Sequence, residues 1–455
     1  MAASHTVYVC QACGHQSAKW LGRCPECDHW GGLVEEVRLA PAKTAKGRAA
    51  VGGGARVQAL SEVEQDSVVR FASGIPLLDR VLGGGIVSGG VVLLAGEPGI
   101  GKSTLLLQVA DALAREGLTT LYASAEESPR QLRLRAERLG CAASGVLVAG
   151  ETGLEPLLAA VESQGPRVLL VDSIQALRSA ELDSPPGSVG QVRHCANRLV
   201  ELAKRSGVAL FLVGHVTKEG TIAGPKSLEH LVDTVLSFEG EHTGEYRLVR
   251  ATKNRFGPTG EVALFEMHDA GLIPLADASR VLLARRRQGA PGSAVAACLQ
   301  GARPLLVEVQ ALVVPTSFPA PRRMAVGLDT NRTILLVAVL ERFADLGLAD
   351  RDVFLNVVGG LSLREPATDL AVSAALASAV SGRALPADAV FLGEVGLLGE
   401  VRPVSQIEAR LREAAALTFR RAFLPKGSAP GKPPVGIRIV EVEDVGEMVA
   451  RVWAT

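Results

Sequence analysis

The stretch LAGEPGIGKSTLLLQ, Leu94 to Gln108, passes from an apolar run through a glycine-rich turn into an amphipathic segment. Gly96-Glu97-Pro98-Gly99-Ile100-Gly101-Lys102-Ser103 fits G-x-x-x-x-G-K-[ST] at every fixed position, and Thr104 follows. That pattern lets backbone amides converge on phosphate oxygens at a helix N-terminus. Lys102 reaches the β and γ phosphates, and the Ser103 hydroxyl ligates magnesium. A chance glycine turn would lack the strand before it and the helix after it. The expected ligands are therefore a nucleotide and Mg²⁺, held by residues 96 to 104.

Outward from this turn, four strand-like runs end in groups suited to phosphate chemistry. PRVLLVDSI (166–174) brings Asp172 to a strand end, where a carboxylate would hold the magnesium hydration shell rather than merely cap a helix. YASAEESP (122–129) offers Glu126 or Glu127 to orient a water, with Glu126 favoured, although a glutamate at a helix start is also commonly just solvated. FLVGHVTKEG (211–220) ends in His215 and Lys218, polar groups placed to sense a γ phosphate or simply to close a loop. RATKNRFGPTG (250–260) sets Lys253 and Arg255 on one strand face if the strand continues, a pair of cations for a neighbouring subunit's nucleotide or for DNA. The expected catalytic set is Lys102, Glu126, Lys253 and Arg255.

Strand-like runs alternate with amphipathic segments over 67–275, which predicts a mostly parallel sheet covered on both faces. Residues 285–455 turn to Ala, Val and Leu with mixed strand and helix signals, a separate α+β domain. At the other end, Cys10-x-x-Cys13 and Cys24-x-x-Cys27 can place four thiolates on one tetrahedral Zn²⁺ within residues 1–36. With every ligand a cysteine, such a zinc is structural. His15 and His29 are alternative ligands, more simply read as solvent-exposed histidines, and Cys141, Cys195 and Cys298 read as small buried apolar residues. Residues 37–66, rich in Ala, Gly and basic side chains, read as a flexible linker. Lys plus Arg and Asp plus Glu both total 48, so a nucleic-acid partner must meet local basic surface rather than global charge. No apolar run reaches membrane-spanning length and the start lacks a signal pattern, which predicts a cytoplasmic protein with no membrane partner.

The stretch YVCQACGHQSAKWLGRCPECDHW (8–30), GEPGIGKST (96–104), KNRFG (253–257) and a C-terminal domain similar to that of Lon protease occur in one order along the chain. In this the sequence resembles the RadA (Sms) family of bacterial DNA repair proteins over essentially its whole length. The resemblance implies a RecA-like P-loop ATPase core, grouped with the ring helicase DnaB, behind a zinc finger. It further implies a homo-hexamer on single-stranded DNA that hydrolyses ATP and promotes branch migration of recombination intermediates alongside RecA. Lys102, Ser103 and Asp172 would belong to its nucleotide site. Glu126 falls where RecA-like proteins keep their catalytic glutamate, and Lys253 and Arg255 look like cations acting across a subunit interface.

The Lon likeness raises a rival, an ATP-dependent protease. In REPATDLAV (364–372) the nucleophile position is Ala367, and in VRPVSQIEARL (401–411) the lysine position falls on or near Glu408, so both members of a serine–lysine dyad are missing. Thr368 and Ser405 are nearby hydroxyls with no base in view. The domain reads instead as an oligomerisation and DNA-binding scaffold, with Arg303, Arg322, Arg323 and Arg364 as candidate phosphate contacts. The expected function is thus a DNA-dependent ATPase motor of recombinational repair; the alternative is a slow, nucleotide-switched scaffold that loads RecA or a helicase.

Overall fold

The computed structural model describes residues 4–10, 15–26, 28, 30–31, 33–39, 69–141, 144–215, 227–240, 245–301, 303–318 and 320–454. The chain divides into two compact units. The first takes Met1–Glu239, Leu248–Thr259 and Met267–Ile273, and the second Gly240–Arg247, Gly260–Glu266 and Pro274–Thr455. The division therefore crosses the sequence more than once, where composition changes only near residue 285.

At the start of the first unit, the strand Ser4–Cys10 pairs antiparallel with Leu33–Leu39 and with Gln16–Ser17. The strand Leu33–Leu39 runs past residue 36 into the stretch 37–66 expected as linker, and the rest of that stretch lies outside the described residues. The body of the unit is built from β1 (Val91–Gly96), α1 (Lys102–Arg115), β2 (Thr120–Ser124), α2 (Pro129–Arg138), β3 (Val146–Ala149) and α3 (Leu154–Gln164). It continues with β4 (Val168–Asp172), α4 (Val189–Ser206), β5 (Ala209–His215), β6 (Thr234–Glu239) and β7 (Tyr246–Asn254). These strands run in the order β7-β6-β1-β5-β4-β2-β3, and the strands Val262–His268 and Gly271–Pro274 continue the sheet beyond β7; β6 to β3 are parallel and β7 is antiparallel to β6.

β1, β2 and β4 are buried at every position, as strands with helices on both faces must be. Leu157 and Val161 of α3 and Val192 and Leu199 of α4 pack on Leu169 and Leu210 of the sheet. Local chemistry sets the helix limits. α4 starts where the Ser188 side chain accepts the Gln191 amide and stops at Gly207, whose φ of 74° suits a residue without Cβ. Ser128 and Gln131 form a reciprocal capping box at the head of α2.

In the second unit, seven strands follow the order β10-β11-β9-β8-β12-β13-β14. These are β8 (Ser293–Gln300), β9 (Arg303–Pro315), β10 (Arg323–Val326), β11 (Arg351–Val357), β12 (Ala389–Phe391), β13 (Arg421–Pro425) and β14 (Arg438–Val442). Three helices used below are α5 (Thr330–Ala344), α6 (Asp369–Ser381) and α7 (Ile407–Ala416). α6 is buried from Asp369 through Ser378, which its alanine-rich, all-round apolar composition allows. No described helix is long and apolar enough to cross a membrane.

Candidate nucleotide site

The parallel sheet brings its functional groups to one edge. Gly96 pairs with His215, and Ser124 with Asp172, so the ends of β1, β5, β4 and β2 are level. This carboxyl edge is where open α/β sheets bind ligands. A Cβ on Gly96 would lie 2.8 Å from the Phe238 carbonyl oxygen, so only glycine lets β6 pass this close to the loop. Gly101 caps α1 at φ 117° with no side-chain cap, which leaves the first-turn amides of α1 without an intrahelical partner.

Lys102 is 4% exposed, and its Nζ donates to the carbonyls of Gly96 (2.9 Å) and Glu97 (2.7 Å). Burial brings its pKa down to about 8 against the pull of Asp172 and Glu126. A buried ammonium beside uncapped amides is a built receptor for a polyphosphate, so the residues present fit a nucleotide. Asp172, 8% exposed, accepts a hydrogen bond from the Tyr122 hydroxyl at 2.6 Å on Oδ2. Burial, then the charge of Asp172, pushes the Tyr122 phenol well up, so it stays a donor. Ser103 and Asp172 would hold magnesium, which when bound neutralises charge on the phosphates.

The two adjacent glutamates face different partners. Glu126 Oε1 accepts from the Ser173 hydroxyl and lies 3.1 Å from His215 Nε2. The His215 hydrogen bond leads the causes that draw its pKa down to about 2. Glu127 pairs with Arg135 Nη2 at 2.5 Å. Of the two readings offered by the sequence, a γ-phosphate sensor or a loop-closing histidine, the structure shows His215 resting on Glu126. Lys218 lies outside the described residues.

Lys253 and Arg255 do not share a continuing strand, because β7 ends at Asn254. Lys253 Nζ donates to the carbonyls of Glu229 (2.5 Å) and Val232 (2.8 Å), and Arg255 Nη1 to Asp233 Oδ1 (3.3 Å). Burial, followed by Arg255, lowers the Lys253 pKa. Asp233 itself is buried, accepts the Val91 amide at 3.0 Å and takes Lys204 Nζ at 2.5 Å. Asp233 is thus level with the start of β1, five residues from Gly96, and at the usual strand rise Arg255 is anchored about 16 Å from its own P-loop.

In the cysteine unit Cys10 and Cys24 are both fully buried, and Cys13 and Cys27 lie outside the described residues, as does His29. The Cys10 amide donates to His15 O and the Asp28 amide to Cys24 O, each at 2.9 Å, closing turns of the size that a thiolate pair needs. His15 lies 4.0 Å from Glu26. Cys141, Cys195 and Cys298 are buried as expected, and burial lifts their thiols to about 11, 12 and 12.

In the second unit Ala367 is buried in a short turn, and Thr368 Oγ1 donates to Glu365 O at 2.9 Å. Ser405 uses its carbonyl to receive Arg410 Nε at 2.9 Å, while Glu408 lies 3.8 Å from Arg412. Arg410 is fully buried, bonded to Glu365 and to Ala297 O. Three of the four arginines that the sequence offered as candidate phosphate contacts also bond within the unit. Arg322 holds Asp352 (2.6 Å), Arg323 donates to Leu348 O (2.8 Å) and Arg303 to Ala276 O (2.7 Å); Arg364 is exposed.

Tyr122, Ser173 and Asp233 escaped the sequence reading. Adjacency to Asp172 was a usable signal for Ser173; for Tyr122 and Asp233 only strand register supplies one.

A family described as AAA domain matches residues 58–221, and one described as Rubredoxin metal binding domain matches residues 8–35. A DNA repair protein RadA of Listeria monocytogenes is 46% identical over 450 residues, covering 98% of each chain. The chain belongs to the RadA family. RadA of Pseudomonas aeruginosa is 48% identical over 443 residues (97% of each chain), and RadA of Bacillus subtilis 46% over 454 residues (98% of each). Among solved structures, a KaiC-like protein of Pyrococcus horikoshii aligns over 46% of this chain and 99% of its own, at 22% identity and a TM-score of 0.38. RadA-family membership joins a zinc ribbon to a RecA-type P-loop core, the two parts at which the P-loop and the cysteine pairs are found.

Proposed function

We propose that this chain is a DNA-dependent ATPase of recombinational DNA repair, a cytoplasmic homo-hexameric motor on single-stranded DNA that promotes branch migration together with RecA. ATP and Mg²⁺ occupy residues 96–104 and Asp172, Glu126 orients the attacking water, and Zn²⁺ sits on Cys10, Cys13, Cys24 and Cys27. One observation supports assembly above the rest. Arg255 is anchored on Asp233 at the far end of β1 from the P-loop, too distant for its own nucleotide, and its side chain is exposed where a neighbour's nucleotide could meet it. The buried Ala367 speaks against peptidase work in the second unit.

The test is the ATPase rate with and without single-stranded DNA, on wild type and Lys102→Ala in parallel. Stimulation by DNA, with turnover reduced at least about 100-fold by the substitution, is expected from loss of the phosphate-binding cation. Turnover indifferent to DNA would overturn the motor and favour the nucleotide-switched scaffold for RecA or a helicase. Unchanged turnover in Lys102→Ala would remove the P-loop from the chemistry altogether.

A further inference from the structure

Three strand ends converge on Glu126: its own β2, then β4 through Ser173, then β5 through His215. Ser173 Oγ donates to Oε1, and His215 Nε2 lies 3.1 Å from that same oxygen. No hydrogen bond to Oε2 is formed among the described residues, so the hold is one-sided. An ionised carboxylate only accepts, through either oxygen, so two donors on one oxygen fix its plane and leave the other for a proton. The donor role puts the His215 proton on Nε2, and Nδ1 is buried without a hydrogen-bond partner among the described residues.

We propose that His215, assisted by Ser173, is a positioning residue of hydrolysis: it grips Glu126 by Oε1 so that Oε2 faces the attacking water, and it acts through that carboxylate rather than on the γ phosphate. This rests on the reading of Glu126 given above. In the step served, the water oxygen bonds to the γ phosphorus as the bond from phosphorus to the β–γ bridging oxygen breaks. The electron pair leaves with ADP, and the water proton passes to Oε2. A carboxylate swung by about 1 Å from that line would lose on the order of 100-fold in rate.

The experiment is a double-mutant cycle on the full-length chain, combining His215→Ala with Glu126→Gln, followed by single-turnover ATP hydrolysis and by nucleotide affinity from a fluorescent ATP analogue. His215→Ala is expected to slow hydrolysis about 10- to 100-fold with affinity unchanged within about twofold. His215→Gln, whose amide nitrogen can replace Nε2, should restore part of the rate. In the Glu126→Gln background His215→Ala should have little further effect, because the group it positions is gone. An equal His215→Ala loss in both backgrounds would overturn the proposal in favour of direct contact with phosphate, and wild-type turnover in His215→Ala would also overturn it. Normal hydrolysis by Glu126→Gln would instead strike the underlying reading of Glu126. Should His215→Ala fail to fold, Ser173→Ala enters the same cycle with the same expected non-additivity and the same overturning result.

Discussion

Lys102 carries its charge where charge is costly until an anion arrives. Its pKa of about 8 lies below the ordinary 10.5, with burial the main cause. The cost to the fold is therefore full below pH 8 and fades as pH rises through 8 toward 10.5. A bound polyphosphate reverses the shift, so binding above pH 8 must take up a proton. Nucleotide affinity should be level up to about pH 8 and then weaken by as much as about tenfold per pH unit. Calorimetry at pH 9 in buffers of different ionisation enthalpy checks this, and a flat affinity with no proton uptake would contradict it. The P-loop residues were legible in the sequence because their mechanism needs them contiguous. Glu126 and Glu127 were not separable there, since what distinguishes them is Arg135 on one side and His215, far along the chain, on the other. Tyr122 and Asp233 gain meaning only when register sets them against Asp172 and Val91.

At the scale of elements, the parallel strands were readable because burial on both faces leaves continuous apolar runs, and the helices because amphipathic segments alternate with those runs. The end of β7 at Asn254 was not, since Arg255 is diverted by the Asp233 backbone and side chain rather than by any turn residue. Nor was the passage of Gly240–Arg247 into the second unit, which no shift in composition announces. Among the described residues the zinc ribbon buries a small cluster around Cys10, Cys24 and Leu33, little core for a unit that must fold by itself. Cys24→Ser should therefore lose stoichiometric zinc and make the strands within residues 4–39 open to protease, while nucleotide affinity of the P-loop core stays within about twofold. Zinc content by atomic spectroscopy and limited proteolysis read this out; a variant retaining one zinc per chain would contradict the four-thiolate site.

For the whole molecule, the reading of Arg255 as a cation supplied to a neighbour makes a sharp expectation about mixtures. Lys102→Ala lacks the nucleotide grip but keeps Arg255, and Arg255→Ala the reverse. Each should be nearly inactive alone, and mixing them should recover a measurable share of wild-type ATPase, because some junctions combine an intact grip with an intact cation. Mixtures no more active than their parts would place Arg255 outside the chemistry. The bonding of Arg322, Arg323 and Arg303 belongs to this scale too: Arg322 meets the carboxylate of Asp352, whereas Arg323 and Arg303 donate to backbone carbonyls and keep their charge. On the same reading, the anchoring of Arg255 on Asp233, at the opposite end of β1 from Gly96, gives every copy a direction, like a tile with a tongue on one side and a slot on the other. A row of n such tiles has only n − 1 joints, and one nucleotide at its end waits unserved until the row bends round and closes.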